Sequence, residues 1–142
     1  MESHGHTSET VAQAFVRAIN RQDVDRLAEL MSPSHRFIDS LANITEGREQ
    51  MRDAWGAYFR MVPDYAIAIE EYYPADPGKD ADPVVIMLGI ASGTYTHDGK
   101  LRAENRWQTP IAIRALIEDG LVAEWRVYAD NEPMRKLMDA AR

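Results

Sequence analysis

Cysteine is absent from the 142-residue sequence. The chain therefore forms no disulfide and offers no thiolate as a nucleophile or metal ligand, which fits a reducing compartment. It also has no apolar run near the roughly 20 residues that a membrane-spanning helix needs. The first residues, MESHGHTSET, are too polar for a secretory signal peptide. We therefore expect a cytoplasmic protein with no membrane partner.

Clusters of basic residues are missing as well. Sixteen Lys and Arg stand against 23 Asp and Glu, which gives a formal net charge of −7. No run of Lys or Arg could neutralise a phosphate backbone, so nucleic acid is not an expected partner. Glycine-rich phosphate loops, the G-x-S-x-G turn and the H-E-x-x-H helix are also absent. We expect neither a metal nor a cofactor.

The composition is that of an ordinary globular domain, with 45% hydrophobic and 27% charged residues. No linker rich in proline, glycine or serine divides the chain. We therefore expect one domain over residues 1–142, in which 1–7 form a flexible tail.

Three amphipathic helices are predicted in the first part of the chain. In TVAQAFVRAINRQ the apolar residues recur three and four positions apart, which makes one helical stripe. Asp23 can cap a second, shorter helix, which Ser32 and Pro33 would stop. A third helix is predicted from Arg48 to Val62.

Strands are predicted after Tyr65, where the period of the apolar residues changes to two. A short strand is also predicted at 35–39. Asp98-Gly99 and Asp119-Gly120 each suit a tight hairpin between antiparallel strands. A last helix is expected from residue 133. Three helices followed by about four long strands predict an α+β fold, with the helices on one face of a curved antiparallel sheet.

Two aspartates stand at the ends of predicted apolar strands, where a cavity between helices and sheet would open. Asp39 shares a strand face with Phe37, and Asp130 follows LVAEWRVYA. Either carboxylate is a candidate acid or base. The alternative is structural: Asp39 would cap the turn that follows it, and Asp130 would cap the last helix.

His35 lies on the same predicted strand face as Asp39. It could orient that carboxylate or relay a proton to it. The alternative, which we favour from the sequence, is a surface histidine where the strand begins.

Large aromatic side chains are candidates for the wall of the cavity. Such residues belong to a core more often than to a ligand site. A curved sheet covered by helices nevertheless leaves a concave space that large side chains can line. The candidates are Trp55, Tyr58 and Phe59 on the third helix and Trp107 and Trp125 on strands.

The segments FVRAINRQDVDRLAELMSPSHRFID, ASGTYTHDG and IEDGLVAEWRVYADNEPMRKLM resemble the nuclear transport factor two-like superfamily, and within it the SnoaL-like subgroup. Members include ketosteroid isomerase and the SnoaL-like polyketide cyclases. The resemblance covers nearly the whole chain. It implies a cone-shaped fold with a curved, mixed or antiparallel sheet and three N-terminal helices on its concave face.

The resemblance also assigns positions. Asp39 falls where ketosteroid isomerase has its general base, and Asp130 falls near the acid/base aspartate of SnoaL-like cyclases, which work without a cofactor. Phe15 falls where the isomerase has a pocket tyrosine that binds the oxyanion. Phenylalanine has no hydroxyl, so steroid isomerisation is not expected.

Two functions remain open at this point. The first is a cofactor-independent acid/base enzyme of isomerase, cyclase or lyase type, which acts on a small apolar carbonyl compound. Asn131, Tyr58 or a backbone amide would then stabilise the oxyanion. The second is a non-catalytic module for binding a small ligand or for dimerisation. Under either function we expect a homodimer through the sheet, because neither face of the strand at 121–129 is wholly polar.

Overall fold

The computed structural model describes residues 7–75 and 83–140. The helices and strands follow in the order α1 Ser8–Arg21, α2 Val24–Leu30, β1 Met31–Ile38, β2 Ile44–Glu46, α3 Arg48–Met61, β3 Ala66–Ala75, β4 Val84–Thr94, β5 Arg106–Glu118, β6 Leu121–Ala129 and α4 Glu132–Ala140. A short 3-10 helix, Ala103–Asn105, precedes β5. The expected tail at 1–7 lies outside the described residues except for Thr7, as does most of the polar loop between β3 and β4.

The six strands form one mixed sheet in the order β2-β1-β6-β5-β4-β3. Strand β1 pairs in parallel with β6, whereas the other neighbouring strands are antiparallel. Three helices precede the long strands, and the predicted last helix is present as α4. The expected α+β fold with a curved sheet is therefore confirmed. No helix in the two described parts of the chain is long and apolar enough to cross a bilayer.

The first two helices begin where short polar side chains satisfy free backbone N–H groups. The Thr7 hydroxyl accepts the N–H of Thr10 at the start of α1. Asp23 caps α2 as predicted, because its carboxylate accepts the N–H of Arg26 at 3.0 Å. The apolar stripe of α1 is buried against the sheet through Val11, Ala12, Phe15, Val16, Ala18 and Ile19.

The end of α2 differs from the prediction. The helix ends at Leu30, and β1 begins at Met31, so Pro33 lies inside a strand instead of stopping a helix. The pairing of β1 with β6 is irregular between Met31 and Arg36. Proline has no N–H for the strand ladder, and an irregular stretch is where a strand tolerates it.

One predicted hairpin is confirmed and the other is wrong. Glu118 pairs with Leu121 across Asp119 and Gly120, whose φ angles of 54° and 75° suit a two-residue turn. At Asp98, by contrast, β4 has already ended at Thr94 and β5 begins only at Arg106. The Asp98 carboxylate instead accepts hydrogen bonds from Arg102 and from the N–H of Lys100, which organise a longer loop.

A bulge on β6 sets which face each of its residues occupies. Leu116 pairs with Glu124 and Ile117 with Val122, so Ala123 is an extra residue on β6. Val122 is consequently fully buried on the face toward the helices, the inner face, although simple alternation placed it beside Arg126. The outer face carries Glu124 and Arg126, and pairing is regular beyond the bulge.

Candidate functional site

A cavity of about 330 Å³ opens between α3 and the inner face of the sheet. This volume lies at the low end of the usual range for ligand pockets, about 300–1,000 Å³, so the site suits a small molecule. Its buried wall consists of Met51, Trp55, Tyr65, Ala91, Trp107, Thr109 and Ile111. Its partly or fully exposed rim consists of Asp39, Ser40, Thr45, Ala54 and Asn131.

The periodicities of the surrounding elements supply the wall. On α3, Met51, Trp55 and Tyr58 follow one another at four and three positions, so they share the face that looks at the sheet. On β5, Trp107 and Thr109 are inner-face residues that alternate with exposed ones. The apolar periodicity that predicts core residues on α3 and β5 therefore also places the residues that line this cavity.

Tyr65 is placed in the wall by the turn between α3 and β3. Its N–H donates to the carbonyl of Val62 at 3.1 Å. The preceding Asp64 accepts the N–H and the hydroxyl of Thr94, each at 2.7 Å, and thereby ties the turn to the end of β4. These contacts fix the backbone from which the Tyr65 ring projects.

Aromatic rings form the apolar part of the wall. The ring centroid of Tyr65 lies 6.4 Å from that of Trp55, 6.1 Å from that of Trp107 and 5.0 Å from that of Tyr58. The last pair is edge to face, with an angle of 87° between the planes. Flat rings around a small cavity favour a ligand that is itself flat and mostly apolar.

Two phenolic hydroxyls are available in this wall. Burial raises the pKa of Tyr65, and burial together with the neighbouring Tyr65 raises the pKa of Tyr58. Both therefore keep their protons at neutral pH and act as hydrogen-bond donors. The Tyr58 hydroxyl donates to the sulfur of Met134 at 3.7 Å. The indole N–H groups of Trp55 and Trp107 have no partner among the described residues, but they are closed off from solvent.

Asp39 lies at the rim, with one oxygen committed to its own loop. Oδ1 accepts the N–H of Leu41 and the N–H of Asn43, both at 2.9 Å. Within 7–75 and 83–140, Oδ2 accepts only the side-chain amide of Asn43, at 3.2 Å. The side chain therefore caps the β1–β2 turn, which is the structural alternative raised above, and also lines the cavity. Oδ2 keeps lone pairs that are free for a ligand.

Asp130 does not reach the cavity. It is exposed and accepts the N–H of Glu132 at 3.0 Å, at the start of α4. Pairing of β6 with β5 is regular from Trp125 to Ala129, so a residue five positions after Trp125 points away from the inner face. The next residue, Asn131, lines the cavity instead and donates its side-chain amide to the Ser40 hydroxyl at 2.5 Å.

Three of the predicted wall residues belong to the core beyond the cavity. Phe15 is fully buried, with its ring centroid 4.5 Å from that of Trp125. Phe59 stacks behind Trp55 at 5.4 Å. Trp55, Tyr58 and Trp107 do line the cavity. The cavity thus lies toward the end of the sheet near Asp39 and Asn131. The region around Phe15 is filled by packed side chains such as Trp125.

His35 is buried, so its interpretation as a surface residue is wrong. Its exposure is 0%, and Nδ1 lies 2.7 Å from the carbonyl oxygen of Val122. Burial lowers its pKa against the opposing effects of that carbonyl and of Glu124, so the ring is neutral and Nδ1–H donates to the carbonyl. Nε2 has no partner among the described residues. This geometry makes His35 part of the β1–β6 packing and leaves Asp39 oriented by its own turn.

Sequence reasoning missed Tyr65 and Thr109 as cavity residues. Tyr65 was taken only as the start of a strand, yet its alternation with Ile67 already placed its ring on the inner face. Thr109 carries a hydroxyl among buried apolar residues of β5. A polar atom on the buried face of a strand is the signal that would have pointed to Thr109. Among the residues described, no group of three or more His, Asp or Glu could hold a metal ion.

The sequence of the chain matches the model of the SnoaL-like domain over residues 12–125. The chain belongs to the SnoaL-like domain family. The match runs from within α1 to Trp125, just past the bulge on β6, and therefore includes most of the residues that line the cavity. No curated protein sequence matches the chain.

Solved structures of related fold agree with this assignment. A SnoaL-like protein of Shewanella denitrificans, proposed to be a polyketide cyclase, has a TM-score of 0.75 at 14% identity, over 93% of this chain and 96% of that chain. IdmH of Streptomyces antibioticus, also proposed to be a polyketide cyclase, has a TM-score of 0.72 at 17% identity, over 94% and 99%. An uncharacterised cystatin-fold protein of Novosphingobium aromaticivorans has a TM-score of 0.72 at 19% identity, over 87% and 98%. At these identities the likeness shows the fold alone, and that fold is the expected α+β architecture.

Proposed function

We propose that this SnoaL-like domain is a cofactor-independent acid/base catalyst that acts on a small, mostly apolar carbonyl compound. The observation that carries the proposal is the meeting of three groups in one small cavity. These are the side chains of Asp39, at the rim, and of Tyr58 and Tyr65, which also line the cavity. A base and proton donors around an apolar space are what proton transfer next to a carbonyl requires.

The proposed reaction begins with a ketone whose oxygen accepts a hydrogen bond from one or both tyrosines. Asp39 Oδ2 then takes a proton from the carbon next to the carbonyl, and the electron pair of the broken C–H bond moves to the carbonyl oxygen. The tyrosine hydroxyls stabilise the resulting enolate, because they remain protonated in this apolar setting. Return of the proton from Asp39 to the same or another carbon completes an exchange or an isomerisation. Alternatively, the enolate carbon attacks a second carbonyl, whose π electrons move to its oxygen, and the resulting alkoxide takes the proton back from Asp39.

Non-catalytic ligand binding is the second candidate, and one observation favours it. The carboxylate of Asp39 accepts three hydrogen bonds from its own turn, which is a sufficient structural reason for an aspartate at this position. Under this alternative the cavity would bind the same class of compound and leave it unchanged.

Deuterium exchange separates the two candidates. Tetralone, a bicyclic aromatic ketone, would be incubated with the protein in heavy water, and loss of its α-proton signals followed by NMR. The proposal predicts exchange above the buffer rate and a drop of about 100-fold or more in Asp39→Asn. Asp130→Asn is the matched control and should keep the wild-type rate. Binding of tetralone with no exchange above buffer would favour the non-catalytic alternative.

We also propose that the domain forms a homodimer through the outer face of the sheet. Ile86, Leu88 and Ile90 on β4 lie on this face and are only half-buried in the single chain. Tyr128 on β6 is 50% exposed there. Covering these side chains would remove apolar area from water. Light scattering at micromolar concentration should report a dimer for the wild type and a monomer for Leu88→Asp, and a monomeric wild type would contradict the proposal.

A further inference from the structure

Helix α4 begins beside the rim of the cavity, and its side chains are only partly packed against the core. It starts directly after the rim residue Asn131, and none of its residues is fully buried. Its apolar side chains Met134 and Leu137 are partly buried against the core cluster. Such a helix is held more loosely than α1, whose apolar stripe is closed off from solvent.

A polar contact joins the Met134 side chain to Tyr58 in the lining of the cavity. The Tyr58 hydroxyl donates to Met134 Sδ at 3.7 Å. A thioether sulfur is a weak acceptor, whereas the oxygen of a ketone or an enolate is a good one. The hydroxyl therefore gains by exchanging the sulfur for a ligand oxygen, and the exchange leaves no buried group unpaired because sulfur needs no partner.

We infer that Met134 is a positioning residue for Tyr58: its sulfur accepts a hydrogen bond from the Tyr58 hydroxyl, and the oxygen of an incoming ligand takes the place of the sulfur. This inference rests on the proposed function, because it takes the oxygen-bearing ligand from there. It adds that α4 belongs to the ligand site and that the acceptor at position 134 competes with the ligand. Affinity for a ketone then depends on how strongly residue 134 accepts the Tyr58 proton.

Two substitutions change, in opposite directions, how strongly residue 134 accepts a hydrogen bond from Tyr58. Both keep a side chain of similar size to methionine. Met134→Leu removes the acceptor, and Met134→Gln supplies an amide oxygen. Tetralone and tetralin, which is the same ring system without oxygen, are the paired probes. Binding is followed through the fluorescence of Trp55 and Trp107, which line the cavity.

Ketone binding should respond to these substitutions, and hydrocarbon binding should not. We expect tetralone to bind about threefold more tightly to Met134→Leu, because the ligand no longer competes with the weak hydrogen bond to sulfur. We expect it to bind about fivefold more weakly to Met134→Gln, because it must displace an ordinary neutral hydrogen bond. Tetralin should bind all three proteins within about twofold. Met138→Leu, on the same helix, is the matched control and should leave both ligands unaffected.

A double-mutant comparison isolates the contact with Tyr58. In a Tyr58→Phe background the substitutions at 134 should no longer alter tetralone affinity, because the shared proton is gone. A uniform change for both ligands, no change for either, or persistence of the effect without the Tyr58 hydroxyl would overturn the inference. If one of these outcomes is found while the wild-type protein still exchanges the α-protons of tetralone, the proposed function stands and only the role of Met134 fails. If the wild type binds neither compound, both proposals are contradicted.

Discussion

Substitution of Asp39 by alanine and by asparagine should separate the structural role of this side chain from the proposed catalytic one. Alanine removes all three hydrogen bonds to the β1–β2 turn, at 2.9, 2.9 and 3.2 Å. Asparagine keeps a side-chain oxygen for the N–H groups of Leu41 and Asn43 and loses only the contact with the Asn43 side chain. It also removes the base.

The expected loss of stability follows from these contacts. The turn is exposed, and its N–H groups can turn to water, so we take about 0.7 kcal/mol per bond and about 2 kcal/mol for Asp39→Ala. An unfolding entropy of about 2.1 cal/mol/K per residue gives about 0.3 kcal/mol/K for 142 residues, hence a melting temperature lower by about 7 °C. For Asp39→Asn the same reasoning gives about 2 °C.

Thermal unfolding by circular dichroism or calorimetry measures both values. Asp53→Asn on α3 is the control for the loss of one exposed negative charge. Both Asp39 variants should lose α-proton exchange to the same extent although their stabilities differ. The reasoning is refuted if alanine and asparagine lower the melting temperature equally, or if alanine leaves it unchanged.

Two further predictions concern stability. Burial lowers the pKa of His35 below the ordinary value of 6.5, which the unfolded chain has. The contribution of neutral His35 to the free energy of unfolding is therefore complete above pH 6.5. It is lost as the pH falls from 6.5 through the lower pKa of the folded state. Urea unfolding between about pH 7.5 and 5.5 should show this slope in wild type and in His97→Gln, and a flat profile would contradict it. Glu124 is almost buried between Arg36 and Arg114, which are 46% and 40% exposed, so Glu124→Ala should cost about 2 kcal/mol in urea unfolding. An unchanged urea midpoint would show that the two arginines do not need this carboxylate.

The sequence was sufficient for most of the fold because each long element has a clear apolar period. The stripe of α1 and the turn at Asp119-Gly120 were placed correctly. The turn at Asp98 was misplaced because Asp-Gly suits both a tight hairpin and a longer loop held by Arg102, and only tertiary contacts decide between them. The parallel pairing of β1 with β6 joins residues far apart in the chain, and no local pattern encodes it.

The site was harder to predict because periodicity gives the face of a residue but not its depth. Trp55 and Phe59 share the buried face of α3, yet only Trp55 reaches the cavity. The same limit applies to Phe15, which lies where the resemblance placed a pocket residue but packs on Trp125. At the end of β6, strand alternation was enough to predict that Asp130 points away from the cavity, because it places Asp130 on the face opposite to Trp125.

The most direct test of the proposed chemistry is a crystal structure of the protein with tetralone bound. We predict that the ketone oxygen lies about 2.6–3.2 Å from the hydroxyl of Tyr58 or Tyr65, with the neighbouring carbon facing Oδ2 of Asp39. Tetralone bound outside the cavity, or bound inside it with the carbonyl turned to solvent and away from both tyrosines, would contradict the account.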